Sequence, residues 1–251
     1  MGKDMKSDFE KNDLTYSEAI EQIMLHNDYV APLKLIYKEI WNYKDKSKIK
    51  GKTPYMTIQE RVQRDKKFTR IGLGVYALTE KLDLLQKQKI PSNEKEKIIS
   101  RHGEIQGMLL EIGNNKNDVE ETYTNDKKFV FQNKRLGSIA TIQSVPFFTY
   151  EHIIKESVAF ADVIWFNERM FPSKVFEVEN STDFRDAFVK FMELQDFMTD
   201  FVCVSPSERK VKFDRERQKT AFRPIAERVK FYSYEDVEND YNLSLQKFRI
   251  V

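Results

Sequence analysis

Residues 158–180 read VAFADVIWFNERMFPSKVFEVEN, and two patterns in this stretch decide the fold. Residues 158–166 are apolar apart from Asp162, which predicts a buried strand with one carboxylate set into it. Residues 174–180 alternate, so Glu177 and Glu179 share one face of a second strand while Phe176 and Val178 turn toward a core. Two carboxylates on one face repel each other unless water or a cation separates them. A third carboxylate from a neighbouring strand makes a cluster that calls for a divalent ion. Oxygen donors favour Mg²⁺, with Mn²⁺ as the second choice, over zinc. Such an ion suits phosphodiester hydrolysis, because it polarises the phosphate, lowers the pKa of a bound water and shields the leaving oxygen. Asp162 and Glu177 are therefore the expected principal ligands. Glu179 is expected to orient or deprotonate the attacking water, with a metal contact of its own. An outward-facing acidic strand is the competing reading, and the carboxylate embedded at Asp162 weighs against it.

Outward from this pair, the pattern builds a mixed domain. A helix over 183–196 carries Phe184, Ala187, Phe188, Phe191, Met192 and Leu194 at helical spacing, with Ser181, Thr182 and Asp183 as caps. Then come a strand at 201–204, a basic helix at 214–222 and a last strand at 229–232. Upstream, Asn93 and Glu96 suit a capping box for a helix over 93–113, whose stripe is Ile98, Ile105, Leu109 and Ile112. Glu104 on that helix is a weaker metal-ligand candidate. Residues 129–131 and 139–145 are strand candidates. Trp165 and the single Cys203 read as core.

The first third of the chain is organised differently. Thr15 and Glu18 form a capping-box pattern ahead of Ala19, Ile20, Ile23 and Met24. A second helix follows Pro32 with Leu33, Ile36, Tyr37, Ile40 and Trp41. After the basic run KDKSKIKGK at 44–52, Thr53-Pro54 opens a third helix through Ile58 and Val62. Strands at 68–71 and 75–78, joined by Gly72-Leu73-Gly74, make a hairpin. Three helices and a hairpin predict a winged helix-turn-helix, which lays its third helix in the DNA major groove. Thr57, Gln59, Arg61, Gln63 and Arg64 are then the base-facing candidates. Lys48, Lys50 and Lys52 before the helix, and Lys66, Lys67 and Arg70 after it, suit phosphates.

Composition agrees with two folded units and a polyanionic partner. The chain has 251 residues, 40% hydrophobic and 33% charged, enough to bury two cores. The polar stretch QKQKIPSN at 86–93 marks a boundary, giving a disordered leader at 1–13 and domains at 14–85 and 86–251. The net charge of +2 hides an uneven spread. Residues 34–70 hold twelve Lys/Arg against four Asp/Glu, and residues 205–230 hold nine against four. One cysteine excludes a disulfide framework and three scattered histidines disfavour zinc. With no signal-peptide pattern and no membrane-length apolar run, a cytoplasmic location without membrane contact is expected.

Residues 14–80, above all the GKTP and GVYALTE elements, resemble the HARE-type helix-turn-helix, which implies DNA binding and suggests sensing of base modification. The order αβββαβ around Asp162 and Glu177-Val178-Glu179 resembles the PD-(D/E)XK nucleases. Ala161 stands where that motif has Pro, and Glu179 where it has Lys. Some restriction enzymes of this superfamily carry Glu there, and FEVENSTDFRDAFVKFMEL is similar to such a subgroup. Glu179 is thus expected to take the role of the Lys, with Lys190 on the next helix as the alternative. The resemblance implies an α+β chain of two domains: an N-terminal winged helix-turn-helix and a C-terminal α/β PD-(D/E)XK core. Its activity would be a type II restriction endonuclease acting on double-stranded DNA as a homodimer. A companion methyltransferase is compatible with this and leaves no trace in the chain. The alternatives are a structure-specific repair nuclease and a DNA-binding regulator with an inactive nuclease fold.

Overall fold

The computed structural model describes residues 14–46, 53–180 and 183–250. The expected leader, Lys48, Lys50, Lys52, Ser181 and Thr182 lie outside the described residues. The chain is α+β, and no helix among the described residues is long and apolar enough to cross a membrane.

Thr15 closes its capping box. Its hydroxyl accepts the Glu18 N–H, and the Glu18 carboxylate accepts the Thr15 N–H at 2.9 Å. Helix α1 (Tyr16–Leu25) therefore starts where the sequence indicates. Strand β1 (Val30–Pro32), helix α2 (Leu33–Glu39), helix α3 (Pro54–Arg64) and the hairpin β2 (Phe68–Gly72) and β3 (Val75–Leu78) follow. The strands form an antiparallel sheet in the order β1-β3-β2. Ile20, Met24, Ile36, Ile40, Ile58, Val62 and Phe68 fill the core between helices and sheet.

The second part opens with α4 (Glu94–Asn114). Asn93 caps it, but Glu96 reaches the Ser92 N–H and hydroxyl, not Asn93, so the capping box is only half formed. Then come β4 (Glu121–Thr124), a small hairpin of β5 (Val130–Phe131) and β6 (Lys134–Arg135), α5 (Leu136–Ile139), α6 (Glu151–Glu156), β7 (Val163–Phe166) and β8 (Pro172–Val178). Helix α7 (Arg185–Met192), β9 (Asp200–Ser205), α8 (Lys210–Arg217), β10 (Val229–Ser233) and α9 (Tyr234–Ile250) complete it. The sheet order is β10-β9-β8-β7-β4, parallel from β8 to β10 and antiparallel from β8 to β4.

Both faces of this sheet are covered, which explains its continuous apolar strands. Val163, Trp165, Phe176, Val178, Val202 and Val204 pack with residues of α4 and α9. Ile164, Phe166, Val175, Phe201 and buried Cys203 pack with α7 and Phe213 of α8.

Several expectations are corrected. Residues 139–145 form no strand: α5 ends at Ile139, and the Thr141 and Ile142 amides bond the Thr122 carbonyl across the end of β4. The run 158–166 divides into a 3-10 turn, Val158–Phe160, and the strand β7, because a short apolar run fits either element. Helix α7 is shorter than 183–196, and its N-cap, Phe184, makes no side-chain cap. Helix α8 begins at Lys210 rather than near 214.

The two parts share a buried boundary. The hairpin tip does not project: Leu73 is 1% exposed and belongs to the core beneath α4. Lys34 donates to the Val119 carbonyl and, at 3.0 Å, to that of Lys116. Arg70 lies 4.4 Å over the Phe248 ring of α9 and bonds the Gly72 carbonyl at 3.0 Å.

Candidate active site

Asp162 stands just ahead of β7, not inside it as expected, and is almost buried. The register that pairs Val163 with Phe176 brings it beside Glu177 on β8. Its Oδ2 accepts the Val178 N–H at 2.7 Å. Its Oδ1 accepts the Gln106 amide at 2.9 Å and faces His102 Nε2 at 3.3 Å. Both partners come from α4, four residues apart on one side of the helix.

Glu177 is 2% exposed, although it belongs to a strand whose neighbours are apolar. Burial, then the charges of Asp162 and Glu179, push its carboxyl well above the usual carboxylate range, with Lys190 pulling the other way. Lys190, on α7, donates from Nζ to Glu177 Oε2 at 2.7 Å and to the Phe160 carbonyl at 3.1 Å. Burial alone would lower the Lys190 pKa, but Glu177, together with the charges of Asp162 and Glu179, raises it more and keeps the ammonium protonated. Glu177 Oε1 and Gln106 Oε1 are buried with no hydrogen-bond partner.

Glu179 lies just past β8. Its N–H donates to the Val204 carbonyl at 2.8 Å, and its own carbonyl accepts Ser205 Oγ and, at 2.8 Å, Arg209. These bonds tie the acidic end of β8 to the turn that opens α8. For His102, burial lowers the pKa, but the hydrogen bond and charge of Asp162, with the charges of Asp126 and Glu179, raise it more, so the net shift is upward. Burial likewise raises the Asp126 carboxyl nearby.

Asp162, Glu177, Glu179 and Lys190 are thus brought to one end of β7 and β8. Glu104 is not: its carboxylate accepts Gln88 at 3.1 Å and Ser100 at 3.0 Å, about half a turn round the helix from the face that meets Asp162. Among the described residues no three His, Cys, Asp or Glu side chains form a metal-binding group. Lys190 and Gln106 engage the carboxylate oxygens instead.

Residues 83–250 match the family described as the type II restriction enzyme NmeDI C-terminal domain. The match covers well over half of the chain. The chain belongs to that family. Searches among curated proteins and among solved structures found no match. Membership in the NmeDI C-terminal domain family makes this a restriction endonuclease chain with DNA as its substrate.

Every residue of the cluster falls inside the stretch matched to the NmeDI family, whereas α1 to β3 precede it. On α3, Thr57, Arg61, Gln63 and Arg64 are exposed, and Ile58 and Val62 are buried. Arg64 pairs with Glu60 at 2.7 Å, Lys67 with Glu21 at 2.6 Å, and Gln63 bonds Tyr76. Lys66 is exposed, and Gln59 turns into a cleft toward the second part. Sequence reasoning missed His102 and passed over Gln106. A histidine and a glutamine four apart on the apolar helix before the strands were the available signal.

Proposed function

We propose that this chain is a divalent-metal-dependent endonuclease of the PD-(D/E)XK type that cuts double-stranded DNA as a type II restriction enzyme, site-specific or modification-sensing. The observation that carries it is the meeting of Asp162, Glu177 and Lys190 at the ends of adjoining strands, each from a different element. The donor chemistry fits Mg²⁺: the oxygens are hard, and two buried acceptors, Glu177 Oε1 and Gln106 Oε1, lack partners. Asp162, Glu177 and Glu179 would hold the ion, which supplies Lewis-acid polarisation and a more acidic water when bound. The Val178 N–H and Gln106 fix the Asp162 carboxylate in place. Lys190, held protonated, acts as a cation facing the phosphate and not as the base. Deprotonating or orienting the water remains with Glu179. The motif lysine has thus moved to α7, and both candidates are used.

Single-turnover cleavage tests this division. Lys190→Ala should slow the chemical step by about 10²–10³-fold, the usual loss on removing one preorganised donor, and Lys190→Arg should recover part of it. An unchanged rate in Lys190→Ala would return the lysine's whole role to Glu179.

The first part, 14–85, is read as a HARE-type winged helix-turn-helix with α3 in the major groove and 86–251 as the nuclease domain. One site per chain requires two copies to cut both strands, so the enzyme acts as a homodimer, beside a companion methyltransferase. On a panel of variant sites, Arg64→Ala should cost about 1–3 kcal/mol and relax preference at one base pair. Lys67→Ala should weaken all sequences alike and lower the salt slope by about one. Uniform weakening by Arg64→Ala would remove α3 from base reading.

A further inference from the structure

A cleft of about 620 Å³ lies between α2, α3 and the loop after α4, away from the carboxylates. Tyr37, Trp41 and Tyr55 line one side. Tyr55 meets the other two edge-to-face, with centroids 5.2 Å from Tyr37 and 6.5 Å from Trp41, and is half exposed. Gln59, one helical turn after Tyr55, shares its side of α3 and lines the same cleft. Opposite stands Glu121, nine-tenths buried, whose Oε1 pairs with Lys38 at 2.5 Å and whose Oε2 has no partner. Lys46 lies 5.4 Å over Trp41.

We propose that this cleft receives a nucleobase swung out of the DNA duplex, stacked on Tyr55 and read along its edge by Glu121, Lys38 and Gln59. Aromatic rings stack bases of any sequence because each base has a π-face. Lys38 beside Glu121 offers a donor next to an acceptor, the arrangement that the Watson–Crick edge of a base complements. Lys46, which also lines the cleft, meets the backbone of the displaced nucleotide. Tyr55 and Gln59 belong to α3, so a base leaving a major groove occupied by that helix meets them on its way into the cleft. This rests on the proposed binding of duplex DNA through α3.

The full chain without metal is titrated with a paired duplex and with the same duplex carrying one unpaired purine. The bulged duplex should bind about tenfold tighter and quench Trp41. Trp165, the other tryptophan, is buried with its Nε1 on the Leu109 carbonyl and should not respond. Tyr55→Ala should erase the preference and leave paired-duplex affinity within about twofold, and Tyr55→Phe should restore it, since the stacking face is retained. Equal affinity for the two duplexes, or a preference that survives Tyr55→Ala, overturns the base site while paired-duplex binding still upholds the nuclease. Failure to bind either duplex overturns both.

Discussion

Asp162→Ala and Glu177→Ala should each lower DNA cleavage in Mg²⁺ by about a thousandfold or more, since a metal-ligand carboxylate carries several kcal/mol of transition-state stabilisation. Both carboxylates are almost buried and face each other across β7 and β8, so neither has a solvent-exposed substitute. DNA affinity without metal should stay largely unchanged, because the basic residues proposed to hold DNA lie elsewhere. Glu177→Gln adds a second readout. Burial raises the Glu177 pKa above that of the unfolded chain, so its favourable contribution is complete below the ordinary carboxylate pKa. That contribution is lost as pH climbs through the raised value. The wild type without metal should therefore lose stability relative to Glu177→Gln as pH rises above the ordinary carboxylate range. Mg²⁺ should stabilise the wild type and not the variant. Cleavage at the wild-type rate by either alanine variant would sink the site. Equal thermal melts for wild type and Glu177→Gln at every pH would show that the carboxyl is not strained by burial.

The strand that carries the chemistry was legible because its face was wrong for its surroundings. Alternation at Phe176, Glu177, Val178 and Glu179 gives the side-chain direction directly, and the structure packs Phe176 and Val178 into one core. The capped start of α1 was equally plain, since both partners of its box lie within four residues. What the sequence hid depends on distant contacts. Helix α9 carries polar residues along much of its length, and the buried Tyr234, Val237 and Tyr241, with the half-buried Leu245 and Phe248, tie it to the core. His102 and Gln106 look like ordinary helix residues until the fold sets α4 against Asp162. Glu104 shows the converse. It is acidic and on the right helix, yet about half a turn out of phase, a distinction hidden while the rotation of the helix against the sheet is unknown.

The hairpin tip enters the second core, and its setting yields the largest stability effect. Glu111 of α4 and Lys134 of β6 form a fully buried pair 3.0 Å apart at the boundary of the two parts. Lys134 Nζ also donates to the Ile71 carbonyl at 2.9 Å, and Glu111 Oε2 accepts the Leu73 N–H and the Tyr241 hydroxyl, each at 2.7 Å. A side chain at Gly72 would meet Glu111 Oε1 at 2.5 Å, so glycine is needed there for the close approach. Lys134→Met leaves a carboxylate buried without its cation and should destabilise the chain by about 3–5 kcal/mol, measured by urea unfolding. Lys134→Met with Glu111→Gln should recover most of that loss. The amide carries no charge to strand, and its oxygen still accepts from the Leu73 N–H or the Tyr241 hydroxyl. Recovery would identify the uncompensated charge as the cost, whereas equal damage in both variants would point to packing. The same helix grips the hairpin at Glu111 and Asn115 and Asp162 at Gln106, all within about three turns. Removing residues 1–85 takes Leu73 out of the second core and strips Glu111 of one donor. The fragment 86–251 should therefore melt well below the full chain, and a loss of selectivity in it would report unfolding as much as the loss of a reader.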